Sequence, residues 1–343
     1  MSRSTTKSAR GVLLAGLALG CAVGGGRAQT SPAPVPTPAP AEPAAAVFAA
    51  VPPTPEELLA AGSRLFEALA PPEIKAQFEF PTPERWADFV GRLQRAFETE
   101  SMAELAALAP EARAVLTALK SVSGYEDLAG WLEQRLDELE GAGQAVAPPP
   151  AVRPSLPPLR PGVPVPPEVQ PVPHYNLWLA RVRGRPLPAG AATLMPRLRA
   201  VFAAEGVPPE LAWLAEAESS LNPAARSPVG AKGLFQFMPA TAEAMGLRTW
   251  LPDERTDPEK SARAAAQYLK KLHARFGNWA LVLAAYNAGE GRVGRLLGAK
   301  GAKNYTAIAD ALPAETRMYV PKVCALIATR AGVAPHQIAA PRR

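Results

Sequence analysis

Residues 216–239 read EAESSLNPAARSPVGAKGLFQFMP, and the reading of this stretch sets the frame for the rest of the chain. It opens inside a helix, passes through a loop carrying Gly230 and Gly233, and closes on the apolar run Leu234–Met238 ahead of another helix start. Pro208, Pro209 and Glu210 mark where the first helix begins, because proline suits a first helical position and an early acid suits the N-terminal dipole. Leu211, Leu214, Glu218 and Leu221 recur at spacings of three, four and three, which is one face of an α-helix. A carboxylate therefore shares a stripe with leucines, where burial favours its protonated form. That is the condition a general acid needs near neutral pH. Glu216 lies about 200° further round the helix and points elsewhere. An isolated helical glutamate reads first as a structural carboxylate satisfied by backbone or an arginine. The residues after Glu218 change that reading.

A length of 343 residues allows about two domains. Forty prolines are well above the usual ~5%, and they cluster in two places. Arg3, Lys7 and Arg10 precede an apolar segment, Val12 to Val23, that is too short and glycine-rich for a spanning helix. Gly26 and Ala28 stand at −3 and −1 of a cut before Gln29, so residues 1–28 read as a cleavable secretory signal. Ala18-Leu19-Gly20-Cys21 alternatively resembles a loose lipoprotein box, and acyl chains on Cys21 would then attach the protein to a membrane. Either reading exports the chain, to the periplasm or to the outer-membrane side of the cell envelope.

Residues 29–53 form a Pro/Ala-rich linker. Residues 54–147 read as a small, separate α-helical domain of unknown role. Thr54-Pro55 and Thr82-Pro83 are cap-plus-proline starts, and helical apolar spacing runs through Phe89, Leu93, Phe97 and again Leu128, Leu132, Leu136, Leu139. Residues 148–173 hold 12 prolines in 26 positions, a spacer that at ~3.1 Å per residue would hold two domains up to roughly 80 Å apart. Residues 174–343 are again helical: Ala191–Glu205, Pro209–Leu221, Ala240–Gly246, Pro258–Phe276, Trp279–Ala288, Arg292–Leu297 and Arg317–Ala331, with no convincing strand. The fold class is all-α.

Charge divides along the same lines. Residues 54–147 carry 8 Lys/Arg against 17 Asp/Glu, whereas residues 174–343 carry 23 against 12. A basic half suits an anionic polymer. Nucleic acid is the competing polyanion, but no aromatic-interleaved basic strip supports it and export argues against it. The acidic segment would alternatively fold back on the basic half as a cover. Cys324, on an apolar helical run, reads as a small buried hydrophobe. The three histidines show no ligand spacing, so neither metal nor cofactor is implied. Asp253, Glu254, Asp257 and Glu259 read as a solvated charged loop.

The order E-S-x-L-N-P (from Glu218), Ser227, G-A-K-G-L-F-Q-F-M-P (from Gly230), AAYNAGEGRV (Ala284–Val293) and ETRMYVPKV (Glu315–Val323) resembles the Slt-type lytic transglycosylases of bacterial cell walls, with wording most similar to the membrane-bound D type. The resemblance covers roughly Leu177 to Ala331. It implies a lysozyme-like catalytic domain over 174–343, acting on peptidoglycan glycan strands. It implies further that Glu218 alone serves as acid and then base, cleaving the MurNAc-β-1,4-GlcNAc bond and leaving a 1,6-anhydro end. Carried over residue by residue, Ser219 would belong to the Glu-Ser pair, or else cap the helix end. Ser227 would contact substrate, or else make the turn before Pro228. Gly230 and Gly233 would let backbone approach the sugar, and Gln236 would bind a hydroxyl or acetamido group. Met238 would floor the sugar, or else be plain core. Tyr286, beside Asn287, would orient the Glu218 carboxyl by hydrogen bond. Glu315 would face substrate, or else cap the helix starting near Pro313, with Tyr319 one turn on. The alternatives are a muramidase- or chitinase-type hydrolase on the same fold, which needs a second carboxylate that the sequence does not single out, and a catalytically idle wall-binding module.

Overall fold

The computed structural model describes residues 55–76, 79–147 and 172–342. The candidate signal, Cys21, the first linker and residues 148–171 of the second lie outside them. The architecture is all-α. The N-terminal helices are α1 (Pro55–Leu69), α2 (Pro72–Lys75), α3 (Pro83–Glu98), α4 (Met102–Ala107), α5 (Ala109–Lys120) and α6 (Glu126–Val146). The C-terminal ones are α7 (Tyr175–Val182), α8 (Ala191–Ala204), α9 (Leu214–Ser219), α10 (Pro239–Ala244), α11 (Pro258–Phe276), α12 (Trp279–Ala288), α13 (Glu290–Lys300) and α14 (Ala314–Ala331). Among the described residues the only β pairing is two isolated bridges, Arg226 with Lys232 and Lys232 with Phe237. No described helix is long and apolar enough to cross a membrane.

Local signals explain the helix limits. Asp257 caps α11 by accepting from the backbone of Glu259 and Lys260, and Gly277 closes it in the left-handed conformation. Asn278 caps α12 through Ala280 and Leu281, and Thr82 caps α3 through Arg85. One expected helix is altered. Pro209–Trp213 is a 3-10 turn, the α-helix runs only Leu214–Ser219, and Ser220 and Leu221 turn left-handed (φ 50° and 61°) instead of continuing it.

Helix α14 is the spine. Met318 to Ile327 are all buried, whichever way they face, and apart from the paired Lys322 and the hydroxyl of Tyr319 the run is apolar, as suits a helix inside the core. It packs against α3, α6, α7, α9 and α12, so helices from both parts of the chain share one core. The separation expected of the acidic segment is not found, and the described residues all fall within one compact unit. Helix α6 lies against α7, α9 and α14. A Cβ on Gly141 of α6 would stand 2.8 Å from the Trp178 ring, so α6 and the fully buried Trp178 close up only because that residue is glycine. The opposite net charges meet as ion pairs: Arg181 and Arg185 each reach Asp137 at 2.7 Å, Arg292 reaches Glu98 at 2.7 Å, and buried Lys322 meets buried Glu138 at 3.0 Å.

Candidate active site

Helix α9 delivers Glu218 to the site and stops one residue later. Its C-terminal turn is held from two sides. The buried Ser219 hydroxyl lies 3.1 Å from the Ala215 carbonyl and 2.9 Å from the Leu234 carbonyl, tying the helix end to the loop beyond it. The Gln134 amide of α6, in the orientation that satisfies both its ends, donates to the Glu218 carbonyl (2.8 Å) and accepts from the Ser220 backbone N–H (2.9 Å). Non-glycine left-handed residues cost about 1–3 kcal/mol each and persist where surroundings hold them. Ser219 thus sits beneath the site as a brace.

The Glu218 carboxyl is half-buried, and the Tyr319 hydroxyl donates to its Oε1. Burial pushes its pKa up to about 7, against the opposing pull of the Tyr319 hydrogen bond and the positive charge of Arg135, while Glu315 and Glu138 add to the rise. The phenol expected to hold Glu218 was that of Tyr286. It donates instead to the Phe235 carbonyl at 2.9 Å and supports the loop. Tyr319 takes the part assigned to Tyr286, because α14 runs behind α9.

The loop 226–237 is fastened by a residue that the sequence reading passed over. Arg255, 3% exposed, donates to the carbonyls of Gly230 (2.8 Å) and Phe237 (3.1 Å) and pairs with Asp253 at 2.8 Å. Asp253 also holds Lys232 at 2.9 Å. These contacts keep its carboxyl well below the usual range although burial opposes them. Asp253 is therefore part of a clamp, which corrects its reading as solvated. Gly233 is required for the same clamp. It has φ +79°, and a Cβ there would lie 1.8 Å from the Arg255 carbonyl oxygen, so its close approach is to this backbone. Ser227 accepts from the Ala231 N–H at 2.9 Å, making a turn. Gln236, itself left-handed at φ 46°, donates to the Gly233 carbonyl at 2.9 Å and faces the same cavity as Glu218. Met238 is 44% exposed at the start of α10, which removes the core reading.

Near Glu218, Asn287 and Glu315 form a polar set. Glu315 Oε1 accepts from Asn287 Nδ2 (3.2 Å) and from Arg135 Nη1 (2.9 Å), while Asn287 Oδ1 accepts from Thr316 (2.7 Å). Glu315 makes no side-chain cap at the start of α14, so the capping alternative falls. Burial raises its pKa and Arg135 holds it down. The cavity that Glu218 enters has a volume of about 630 Å³ and opens between α6 and the C-terminal half. Trp131, Gln134 and Asp137 line one wall, and Glu218, Ser220 and Gln236 line the other. The arrangement can supply and recover a proton at one carboxyl group, beside a fixed phenol donor, at the wall of an open cavity.

Residues 200–309 match the family model described as the transglycosylase SLT domain. The membrane-bound lytic murein transglycosylase D of Escherichia coli (strain K12) is 39% identical over 124 residues, 35% of this chain and 27% of that protein. The soluble lytic murein transglycosylase of Salmonella typhimurium is 40% identical over 120 residues, 33% of this chain and 19% of that one. The matched stretch thus spans about a quarter or less of these relatives. The crystal structure of the 70-kDa soluble lytic transglycosylase of Escherichia coli aligns over 78% of this chain and 43% of its own at 23% identity, with a TM-score of 0.38. A superposition that loose carries no argument.

Proposed function

We propose, from the premise that residues 200–309 are a transglycosylase SLT domain, that the chain is a lytic transglycosylase that cleaves peptidoglycan glycan strands in the cell envelope. The observation that carries this reading is the state of Glu218. It is a half-buried carboxyl that burial raises to about 7, with a phenol at one oxygen, at the wall of a cavity of about 630 Å³. A carboxyl raised that far can hold a proton at neutral pH and still give it up, so one side chain can serve as acid and, a step later, as base.

The chemistry follows from that. Protonated Glu218 gives its proton to the oxygen of the β-1,4 bond between MurNAc C1 and GlcNAc O4, and the C1–O4 bond breaks. The carboxylate left behind takes the proton of the C6 hydroxyl of the same MurNAc while O6 closes onto C1. Glu218 ends protonated, a 1,6-anhydro end is formed and no water is consumed. Tyr319 steadies the carboxylate between the two steps by donating to it. Gln236 and Asn287 offer amide groups to the sugar, and Ser227 a hydroxyl.

A hydrolase would need a second carboxylate to handle water. Glu315 is the candidate that the fold brings near, but its Oε1 accepts from both Arg135 and Asn287, an arrangement that pairs its charge instead of activating water. The test is to digest purified peptidoglycan with the full chain beside Glu218→Gln and to weigh the soluble fragments. Fragments lighter than hydrolytic ones by one water, from wild type only, are the expected result. Reducing ends would instead assign a hydrolase, and equal digestion by both proteins would remove Glu218 from the chemistry.

A further inference from the structure

The acidic helices carry no residue of the matched family segment, yet one of their cations stands among the carboxylates of the site. Arg135 of α6 is largely buried; its Nη1 lies 2.9 Å from Glu315 Oε1 and 2.8 Å from Glu138 Oε2. Its guanidinium also lies over the Phe97 ring, 5.5 Å from the centroid, which fixes the side chain against the acidic helices. Among the described ion pairs between residues 55–147 and 172–342, every other one joins an acid of the first part to a base of the second. Arg135–Glu315 runs the other way. General charge matching between the halves therefore does not account for it, whereas a local need for positive charge beside Glu218 and Glu315 does. Gln134, the preceding residue, bonds the Glu218 carbonyl and the Ser220 N–H in the strained turn after the acid. Two adjacent side chains of α6 thus grip the site at two points.

We propose that α6 is a working wall of the active site and that Arg135 is a positioning residue for the reaction. It fixes Glu315 near Glu218 and supplies the cation that balances the cluster of acids there. The inference rests on the transglycosylase reading above and extends it to a segment outside the matched domain. The groups facing Glu218 are Tyr319 and Glu315 on α14, Arg135 and Glu138 on α6, and Tyr286 on α12. Lys322 of α14 pairs with Glu138 at 3.0 Å. Arg135 is the cation of this set that acts directly on Glu218, favouring its ionised form, and Glu138 acts in the opposite sense. A nearby opposite charge shifts a carboxyl by about 1–3 pH units, so on top of the rise that burial causes the two side chains tune the pH above which Glu218 no longer carries its proton.

The experiment is the pH profile of peptidoglycan solubilisation by the full-length chain as wild type, Arg135→Gln, Arg135→Lys, Glu138→Gln and Glu218→Gln. Removal of the Arg135 charge should move the alkaline limb of the profile up by about one pH unit and slow the rate at the optimum several-fold. Arg135→Lys, which keeps the charge, should leave the limb where wild type has it. Glu138→Gln should move it down. A purely structural role for α6 would lower thermal stability and leave the limbs in place. An unmoved limb in both Arg135→Gln and Glu138→Gln, with Glu218→Gln inactive, overturns the role of Arg135 alone. Should Arg135→Gln not fold, the downward shift of Glu138→Gln decides. Full activity in Glu218→Gln would instead remove the transglycosylase reading and this inference with it.

Discussion

Two carboxylates leave α9 two residues apart and meet opposite surroundings. Glu216 is buried against Arg330, which holds it with two nitrogens at 2.6 and 2.9 Å while also donating to the Arg185 and Pro186 carbonyls. Glu218, on the other face, has a phenol on its Oε1, and the cation that acts on it, Arg135, is engaged with Glu138 and Glu315. Burial by itself therefore does not make an acid. Burial with a bidentate arginine makes a structural ion pair that fastens the turn at Pro186 to α9. Burial with a neutral donor leaves a carboxyl pushed up to about 7.

The comparison can be broken in order of effect. Glu218→Gln keeps shape and loses the proton, and general acid catalysis is worth about 10²–10⁴-fold, so wall solubilisation should fall by at least ~10²-fold with the fold intact by circular dichroism. Glu216→Gln should do the reverse. Breaking a buried pair costs about 3–5 kcal/mol, which denaturant unfolding reads directly, while the product ends stay those of wild type. If Glu216→Gln lost activity without losing stability, the assignment of roles on α9 would be wrong.

A smaller effect concerns stability against pH. The Glu218 pKa is raised in the folded state, from 4.5 to about 7. The folded protein thus binds the proton more tightly than the unfolded chain, and its stability drops as pH rises between those values, the ionised carboxylate being the unfavourable form. Glu218→Gln lacks that titration. It should therefore be more stable than wild type by about 1–3 kcal/mol at pH 8 and lose the advantage by pH 4. Thermal melts at the two pH values check this, and a constant difference would show that Glu218 is not perturbed. Smallest is Tyr319→Phe. The hydroxyl favours the carboxylate, so its removal should raise the Glu218 pKa and move the alkaline limb of activity up by about one pH unit or less. A downward shift would mean that Tyr319 does not donate to Glu218.

Much of the fold was legible because its signals are local. The ranges read for α11 and α12, Pro258–Phe276 and Trp279–Ala288, are those found, each bounded by a local cap, Asp257 and Gly277 for the first and Asn278 and Gly289 for the second. The stripe that put Glu218 among leucines was legible for the same reason. Its limit was not, because Ser220 and Leu221 take left-handed turns without a glycine to announce them and are held by Gln134 from a distant helix. Tyr319 was placed near the site, but its bond to Glu218 joins residues 101 apart, and no spacing rule reaches that far. The Asp253–Arg255 clamp looked like a charged loop, since its meaning lies in the Gly230 and Phe237 carbonyls that it meets. Arg135 lay in a segment read as a separate body beyond a proline spacer. Only the packing of α6 on α9 and α14 brings it to the site.

The most direct test of the central claim is the digestion of peptidoglycan by the full chain in water enriched in heavy oxygen, with the new ends analysed by mass. If Glu218 acts as acid and then base on the substrate's own hydroxyl, the new anhydro ends carry no solvent oxygen and are lighter by one water. Heavy oxygen at C1 of the new ends would mean that a water is activated, and the single-carboxylate account would be contradicted.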